Sequence, residues 1–576
     1  MRSKIKKNHE FFELSKFRRR FTLLVLLTLF CILFSRAFFL QGMQKDFLQQ
    51  EGFERSNRNI ELYAYRGKIY DRNNQILAAS ETVRSITLEP NQVEFKKGDK
   101  KKLANLLEMK IQTLNKKLKT KRNHIYLKRK VDPKIASKIL ALKIPGISSE
   151  KDYRRTYPDQ EISAHVVGYA GNDGNGLEGV EYKKNDLLSG THGYKKILID
   201  ARRRVVENLS EVNVPIDGKD VHLTIDKRLQ HIAFQSLKKT IDDSEAISGS
   251  AILIDSKTGE ILTMVNYPSY NPNKRMRKRT FVRNRVVTDM FEPGSTMKPI
   301  SIAAALEKKV VNVNTKIDTG NGFYKVGRTL VTDTKPHGII TVKEILQTSS
   351  NIGVTKIAEK LSKKELWQTY SNFGIGNLTG LNFPGESKGI IRDYKKWRDR
   401  DHYSVSYGYS VSTTIAQLAR AYTPFANKGE IKNLRLFKND PIKIGQRVMS
   451  IETTKAVLKM MESVTKEGGT ATQAAIPGYR VAGKTGTSRQ FIEGKGYGAP
   501  GERKYNASFV GIAPISNPKF IMAIVIEDPT KGSNYGGVVA GPVFRKVVAE
   551  ALKIYSIPQD GIEILDRADE DEKKEI

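Results

Sequence analysis

Ser295-Thr296-Met297-Lys298 is the stretch that decides the fold of this chain, because two further motifs follow it in a fixed order. These motifs are Ser349-Ser350-Asn351 and Lys484-Thr485-Gly486. A serine that attacks an amide carbonyl needs a base, a proton relay and groups that hold the substrate. The three motifs together offer hydroxyl, amine and amide groups for these tasks, and they predict a serine acyl-transfer site.

Each motif alone is compatible with chance. Residues 236–239 and 463–466 also place a serine three positions before a lysine, and residues 257–259 form a second K-T-G triplet. This second triplet precedes Ser295 and lies between two apolar runs, so we predict a hairpin turn there, with Gly259 at positive φ. Order, spacing and local context therefore select the later triplet, which lies in a predicted strand.

Composition limits the classes of function. The chain has 576 residues and a net charge of +36, with one cysteine. A single cysteine excludes an intrachain disulfide and a Cys-based zinc site. The positive charge is compatible with a solvated basic surface, or with attraction to an anionic envelope polymer or lipid headgroups.

The N-terminal region predicts a membrane anchor. Residues 21–41 are mostly apolar, and a helix of 20 residues spans roughly 30 Å, the thickness of a bilayer core. Eight Lys/Arg residues lie among the first 20 positions and three lie in 41–60, so residues 1–20 are predicted to be a cytoplasmic tail and the rest to lie outside. A cleaved signal peptide is the alternative, but no small-x-small site follows the apolar run. This topology argues against a nucleic-acid partner.

The rest of the chain divides into three predicted parts. Residues 42–220 form an elongated mixed pedestal domain, which contains a helix-compatible stalk, a hairpin at Asn73-Asn74 and helical spacing over residues 97–145. Residues 221–560 form an α+β domain, with an antiparallel sheet between helices. Residues 561–576 form an acidic tail that is predicted to be disordered.

We next assign chemistry to the nucleophile motif. Ser295 and Lys298 are three positions apart at a predicted helix start, so their side chains share one face. The helix N-terminus favours the alkoxide that develops on Ser295. The same field, with burial and neighbouring cations, lowers the pKa of Lys298, so that its neutral amine can accept the proton. Pro299 is tolerated because it falls in the first turn.

The other two motifs supply the remaining groups. Ser349 is the predicted hydroxyl relay to the leaving nitrogen, although residues 348–351 also suit a helix N-cap. Asn351 is predicted to orient Lys298 and a substrate amide, and Lys484 to supply positive charge. Thr485 and Thr487 are predicted to offer hydroxyls to a substrate carboxylate, and Gly486 to leave space for a substrate backbone. The backbone N–H groups of Ser295 and Thr487 are the predicted oxyanion hole.

With these motifs in place, the chain resembles the class B penicillin-binding proteins, most nearly those of the cell-division (FtsI) type in Gram-negative bacteria. The resemblance spans roughly residues 18–555. The sequence segments that carry the resemblance are specific to this family when taken together, and no single segment is specific alone. The segments that carry it are Arg66-Gly67, Asp71-Arg72, Gly176–Gly179, Leu223–Asp226, Tyr267–Pro272, Arg283–Arg285, Phe291–Pro299, Thr348–Asn351, Tyr407–Tyr409 and Ala482–Thr487. Ser410 and Asn74 stand where the family usually has glycine.

The resemblance implies a D,D-transpeptidase that cross-links peptidoglycan stem peptides at the division septum through an acyl-enzyme on Ser295. It implies acylation by β-lactam antibiotics and no metal or organic cofactor. The implied location is the bacterial inner membrane, single-pass, with the catalytic domain in the periplasm. The implied partners are a SEDS glycosyltransferase and other divisome proteins.

Three alternatives remain open at this point. A class A β-lactamase would hold a water with glutamate, but no E-x-x-L-N pattern surrounds Glu386. An elongation-type class B transpeptidase would share every motif. A non-enzymatic divisome scaffold or β-lactam sensor would keep the fold without the reaction.

Overall fold

A computed structural model describes residues 15–120, 122, 124–199, 205–274, 281–327, 329–492, 494, 496–499 and 501–561. Most of the predicted cytoplasmic tail lies outside the described residues. The predicted acidic tail does so as well, apart from Gly561.

The N-terminal helix α1 spans Lys16–Phe38 and continues as a π-helix over Phe39–Met43. Among the described residues, Lys16–Met43 is the one helix long and apolar enough to cross a membrane, with a mean hydropathy of 2.5. The helix begins before the predicted anchor, because the basic residues are compatible with helix and Ser15 Oγ accepts a hydrogen bond from the Arg18 amide at 3.4 Å. An apolar N-terminal helix of this length fits a single-pass anchor.

The pedestal is mixed, as predicted. Its elements are α2 (Lys45–Ser56), β1 (Asn57–Leu62), β2 (Ile69–Tyr70), β3 (Ile76–Leu88), a 3₁₀ turn (Pro90–Gln92), α3 (Asp99–Leu106), α4 (Ile111–Leu118), β4 (Ile125–Val131), α5 (Pro133–Leu140), β5 (Ile147–Thr156), α6 (Ala164–Val167), α7 (Gly179–Lys183), α8 (Asn185–Ser189), β6 (Gly193–Ile199), β7 (Val205–Asn213) and β8 (Val221–His222).

Strand β3 organises the pedestal, because it pairs antiparallel with β2, β4 and β5. The predicted hairpin is confirmed: β2 and β3 flank Asn74, whose φ of 62° is the left-handed value that asparagine tolerates. The helical prediction for residues 97–145 is correct for α3, α4 and α5 but wrong at β4. There the β-branched and aromatic side chains pair with β3 instead.

A buried ion cluster ties the start of the pedestal to its later helices. Glu181 on α7 is fully buried and accepts from Arg66 Nε and Arg155 Nε at 2.6 Å each. Arg66 Nη2 also donates to the Glu181 carbonyl at 2.9 Å. One carboxylate thus serves two guanidinium groups inside the domain, where an unpaired charge is costly.

The C-terminal domain is α+β, also as predicted. Its elements are α9 (Lys227–Asp243), β9 (Ser248–Asp255), β10 (Ile261–Tyr267), α10 (Arg285–Thr288), a 3₁₀ turn (Gly294–Met297), α11 (Lys298–Glu307), β11 (Lys316–Asp318), β12 (Phe323–Val326), β13 (Thr329–Thr332), β14 (Ile339–Thr341), α12 (Val342–Thr348), α13 (Asn351–Ala358), α14 (Lys363–Asn372), β15 (Ile390–Ile391), a 3₁₀ turn (Tyr394–Lys396), α15 (Asp399–Ser406), β16 (Val411–Ser412), α16 (Ile415–Ala421), α17 (Thr423–Ala426), α18 (Ile451–Glu462), a 3₁₀ turn (Thr472–Ala474), β17 (Ala482–Arg489), β18 (Tyr505–Ala513), β19 (Phe520–Glu527), α19 (Gly536–Val539) and α20 (Gly541–Ile554).

The main sheet is antiparallel, with the strand order β10-β9-β19-β18-β17. Alternate side chains fill two cores on its opposite faces. One core holds Phe234, Phe509 and Phe544 with α9 and α20, and the other joins the sheet to α11 and α16. Strand β17, which carries the predicted K-T-G motif, lies at the sheet edge and is therefore open on one side.

The earlier K-T-G triplet forms the predicted hairpin turn between β9 and β10, with Gly259 at φ 71°. A Cβ at Gly259 would lie 2.1 Å from the Asn433 carbonyl oxygen. The triplet therefore packs against an ordered loop.

We predict that Glu181→Gln destabilises the pedestal by about 3 kcal/mol, because two buried guanidinium groups lose their counter-charge. Hydrogen exchange of β3 and β5 amides in the full chain measures this loss. Glu81→Gln is the control, since its pair with Arg154 is exposed and is worth less than about 1 kcal/mol. Equal effects of the two substitutions would contradict the prediction.

Candidate active site

The nucleophile turn is held by two hydrogen bonds from distant segments. Ser295 lies in the 3₁₀ turn Gly294–Met297, directly before α11, so it precedes the helix start instead of lying within it. The Gly294 amide donates to the Gly408 carbonyl at 3.0 Å, and the buried Tyr422 hydroxyl donates to the Thr296 carbonyl at 2.7 Å. Ser295 itself is partly exposed.

Lys298 begins α11 and is completely buried. Its Nζ donates to Asn351 Oδ1 at 2.7 Å, to the Ser349 carbonyl, and to Ser349 Oγ at 3.3 Å. Burial lowers the pKa of the Lys298 ammonium to about 7, and the nearby Asp333 carboxylate opposes part of that shift. The predicted lowering is thus found, with burial as its cause.

Ser349 lies between α12 and α13 in a left-handed conformation, with φ 62° and ψ 37°. This conformation is uncommon for a residue with a Cβ, and here it places the hydroxyl between two amines. Ser350, and not Ser349, is the N-cap of α13, because its Oγ accepts from the Gly353 amide at 2.9 Å. The helix cap and the predicted relay therefore fall on adjacent serines.

Lys484 on β17 reaches the same hydroxyl from the sheet side. Its Nζ is fully buried and donates to Ser349 Oγ at 2.8 Å and to the Thr485 carbonyl at 3.2 Å. Burial first, and the charge of Lys298 second, hold the pKa of Lys484 well below its usual range. Two ammonium groups around one hydroxyl repel each other strongly in a low-dielectric interior, so the pair favours a state with at least one neutral amine.

Asp333 is a site residue that the sequence did not predict. Its carboxylate accepts from Ser350 Oγ and the Asn351 amide at 2.5 Å each, and from the Ile352 amide at 3.1 Å. The negative charge lies at the N-terminus of α13, where it is stabilised. Asp333 thereby fixes the helix start that presents Asn351. It follows β13 at no fixed spacing from any motif, so nothing in the local sequence indicates this role.

The K-T-G segment packs closely against neighbouring segments. A Cβ at Gly486 would meet Ser508 Oγ at 2.3 Å and the Pro293 carbonyl at 2.9 Å. Glycine at this position lets β17 pack against the nucleophile turn, and its predicted place beside a substrate backbone stays a prediction.

The two K-T-G hydroxyls are both engaged. Thr485 is buried and shares a hydrogen bond of 2.9 Å with Thr470, while Thr487 Oγ1 accepts from the Gly536 amide at 3.3 Å. The oxyanion role of the Ser295 and Thr487 amides stays a prediction.

The fold thus brings the predicted residues into one place from three separate parts of the chain: Ser295 and Lys298 from the first motif, Ser349 and Asn351 from the second, and Lys484 to Thr487 from β17. A cavity of about 380 Å³ opens beside them. Its lining includes Asn351, residues 329–332 of β13, and Tyr407, Tyr409 and Tyr497.

Comparison with known families decides the assignment. The model of the penicillin binding protein transpeptidase domain matches residues 249–549, more than half of the 576-residue chain. The chain belongs to this family. The model of the penicillin-binding protein dimerisation domain matches residues 61–223, which covers most of the predicted pedestal.

Two relatives extend this membership over nearly the whole chain. The peptidoglycan D,D-transpeptidase FtsI of Escherichia coli (strain K12) is 37% identical over 551 residues, which cover 92% of each chain. The probable peptidoglycan D,D-transpeptidase PenA of Neisseria gonorrhoeae is 36% identical over 546 residues, which cover 94% of this chain and 93% of PenA.

Solved structures of this family agree with the fold. The TP domain of Burkholderia pseudomallei penicillin-binding protein 3 is 41% identical with a TM-score of 0.54, over 59% of this chain and 97% of that one. A peptidoglycan synthetase from Bifidobacterium adolescentis is 26% identical with a TM-score of 0.71, over 88% of this chain and 98% of that one. The penicillin-binding protein fold therefore includes both domains.

We predict that Asp333→Asn shifts the pH midpoint of penicillin labelling downward, because the carboxylate raises the pKa of Lys298. The substitution also removes an acceptor from the start of α13, which costs about 1–2 kcal/mol of stability. Labelling rates over a pH series, with thermal unfolding beside them, measure both effects.

Glu344→Gln is the matched control. Glu344 completes the capping box of α12 and makes no recorded contact with Lys298. It should lower stability and leave the midpoint unchanged. A shift of the midpoint in this control, or none in Asp333→Asn, would refute the electrostatic role of Asp333.

Proposed function

We propose that the chain is a peptidoglycan D,D-transpeptidase that cross-links stem peptides through an acyl-enzyme on Ser295. The observation that carries this proposal is the contact of one hydroxyl, Ser349 Oγ, with two buried amines of lowered pKa beside the nucleophile turn. Family membership and the names of the FtsI and PenA relatives support the same reaction.

In the acylation step, Ser295 Oγ attacks the carbonyl carbon of the D-Ala-D-Ala bond while neutral Lys298 takes the hydroxyl proton. The amides of Ser295 and Thr487 are the proposed donors to the oxyanion. A proton then passes through Ser349 Oγ to the leaving nitrogen. The amide bond breaks, D-alanine leaves, and an ester remains on Ser295.

In the transfer step, the side-chain amine of a second stem peptide attacks the ester carbonyl. The amine loses a proton to the same lysine–serine chain, and Ser295 Oγ recovers a proton as it leaves. Positive charge shared between Lys298 and Lys484 stabilises the anionic intermediate in both steps. Asn351 Oδ1 holds Lys298 in line throughout. A β-lactam acylates Ser295 in the first step but lacks a leaving group that diffuses away.

The proposed location and partners follow from the anchor and the relatives. The apolar helix Lys16–Met43 supports a single-pass protein, and the basic residues before it favour a periplasmic catalytic domain. The similarity to relatives named FtsI supports a role in cell division. The division septum as the site of action, and a SEDS glycosyltransferase and other divisome proteins as partners, are what the family resemblance implies. Localisation of a tagged full chain distinguishes the two roles. A septal position indicates the division role, and a lateral position indicates an elongation-type enzyme.

We expect a labelled penicillin to form a long-lived covalent adduct with the detergent-solubilised chain, and Ser295→Ala to abolish it. Mass spectrometry of the tryptic peptide that contains Ser295 measures the adduct. Rapid turnover of the drug would instead indicate a β-lactamase, and an adduct on another residue would refute the assignment of the nucleophile. Normal division with Ser295→Ala alone would favour the scaffold function.

We expect the acylation rate to rise with pH around a midpoint of about 7, the pKa of Lys298. A lowered lysine pKa means that the amine is neutral, and able to accept the serine proton, above that pH. The rate should therefore fall below pH 6 and reach a plateau above pH 8. Stopped-flow acylation across pH 5–9 measures the profile, and a rate that decreases through pH 7 would contradict the role of Lys298 as base.

A further inference from the structure

Glu292 lies three residues before Ser295, and the predicted mechanism gives it no part. Its carboxylate is half-buried and accepts two hydrogen bonds from segments distant in sequence. The Ser410 amide donates to Oε1 at 2.8 Å, and the Tyr497 hydroxyl donates to Oε2 at 2.8 Å. One side chain therefore joins the nucleophile segment to the loop after α15 and to the connection between β17 and β18.

The first of these loops is held in an unfavourable backbone conformation. Ser410 has φ 59°, in the left-handed region that glycine adopts without cost. A non-glycine residue persists there only when its surroundings fix it. Glu292 supplies one constraint through the Ser410 amide, and the Ser404 hydroxyl, 2.9 Å from Ser410 Oγ, supplies another. The preceding Gly408 already contacts Gly294, so this loop borders the nucleophile turn directly.

The second loop is joined to the first through aromatic rings. Tyr497 lies edge-on to Tyr409 with ring centroids 5.9 Å apart, and Phe491 lies edge-on to Tyr497 at 5.6 Å. Tyr409 also accepts a hydrogen bond from the Arg489 amide at the end of β17, at 3.2 Å. The lining of the groove beside Asn351 thus includes Tyr409 and Tyr497, whose rings contact each other.

Packing alone does not fix these loops, because both of them border open space. The groove of about 380 Å³ includes Ser410 and Tyr497 in its lining. A separate cleft of about 530 Å³ includes Glu292, Arg489 and Phe491 in its lining. Where side chains border open space, hydrogen bonds carry more of the positioning.

We infer that Glu292 is a positioning residue for substrate binding, which sets the distance between the nucleophile turn and the two loops that wall the groove. The inference rests on the proposed function for its readout, but it concerns ligand binding and not the acyl-transfer chemistry. The hydrogen bonds of the Glu292 carboxylate go to Ser410 and Tyr497, and those of the Lys298 amine go to Ser349 and Asn351.

Glu292→Gln and Tyr497→Phe in the full chain test the inference. Gln replaces the charged carboxylate by a neutral amide with one carbonyl acceptor, so the two loops no longer share a charged acceptor, and Phe removes one donor while keeping the ring. Stopped-flow acylation by a fluorescent penicillin separates the dissociation constant of the encounter complex from the rate constant of acylation. We expect each variant to raise the dissociation constant about tenfold, the order carried by one hydrogen bond to a charged acceptor, with the acylation rate constant changed less than about threefold.

Glu307→Gln is the matched control. Glu307 also accepts from a backbone amide and a hydroxyl, both of Ser450, outside the groove. The Glu307→Gln variant should leave both constants unchanged. The double variant Glu292→Gln/Tyr497→Phe should bind no worse than either single variant, because the two substitutions remove the same interaction. An unchanged dissociation constant in both single variants, or an equal rise in Glu307→Gln, would overturn the inference. A wild-type chain that forms no adduct would instead refute the proposed function.

Discussion

The Ser349 hydroxyl is the point on which the site depends. It lies within hydrogen-bonding distance of two lysine amines, one from α11 and one from β17, and both side chains are fully buried. Two charged lysines in such a place would be strongly destabilising, so the arrangement is compatible with folding only if protons are shared and at least one amine is neutral. Burial of the two amines costs free energy of folding. It also lowers their pKa, so that a neutral amine can act as a base near neutral pH.

Several parts of the fold serve to hold that arrangement. The left-handed Ser349 turns the hydroxyl inward, Asp333 anchors the start of α13, and Tyr422 fixes the nucleophile turn from the core. Gly486 lets β17 approach that turn without a side chain between them. The large apolar cores on the two faces of the sheet supply the stability that offsets these local costs.

The sequence predicts what depends on short spacing and on order. Ser295 and Lys298 are three positions apart before a predicted helix, the early K-T-G triplet lies between apolar runs, and the later triplet lies in a predicted strand, so these features are accessible without a structure. Asp333 and Glu292 are not, because each acts on segments far away in the chain and stands in no recognisable pattern. The left-handed conformation of Ser410 cannot be predicted from the sequence for the same reason, because residues distant in the chain stabilise it. The sequence predicts a helix at β4, because the spacing of its lysines and aliphatic residues fits the period of a helix as well as that of a strand.

The pairing of β9 with β19 has a consequence for how the protein matures. Ser250 faces Val525 across the sheet, so the central pair of strands joins the two ends of the catalytic domain. Such distant contacts form late, since the loop between them must close first. Ser295 and Lys484 both lie in the chain between these two strands. A chain that has folded only its first part therefore holds the serine but lacks the amine from β17, and its site is chemically incomplete.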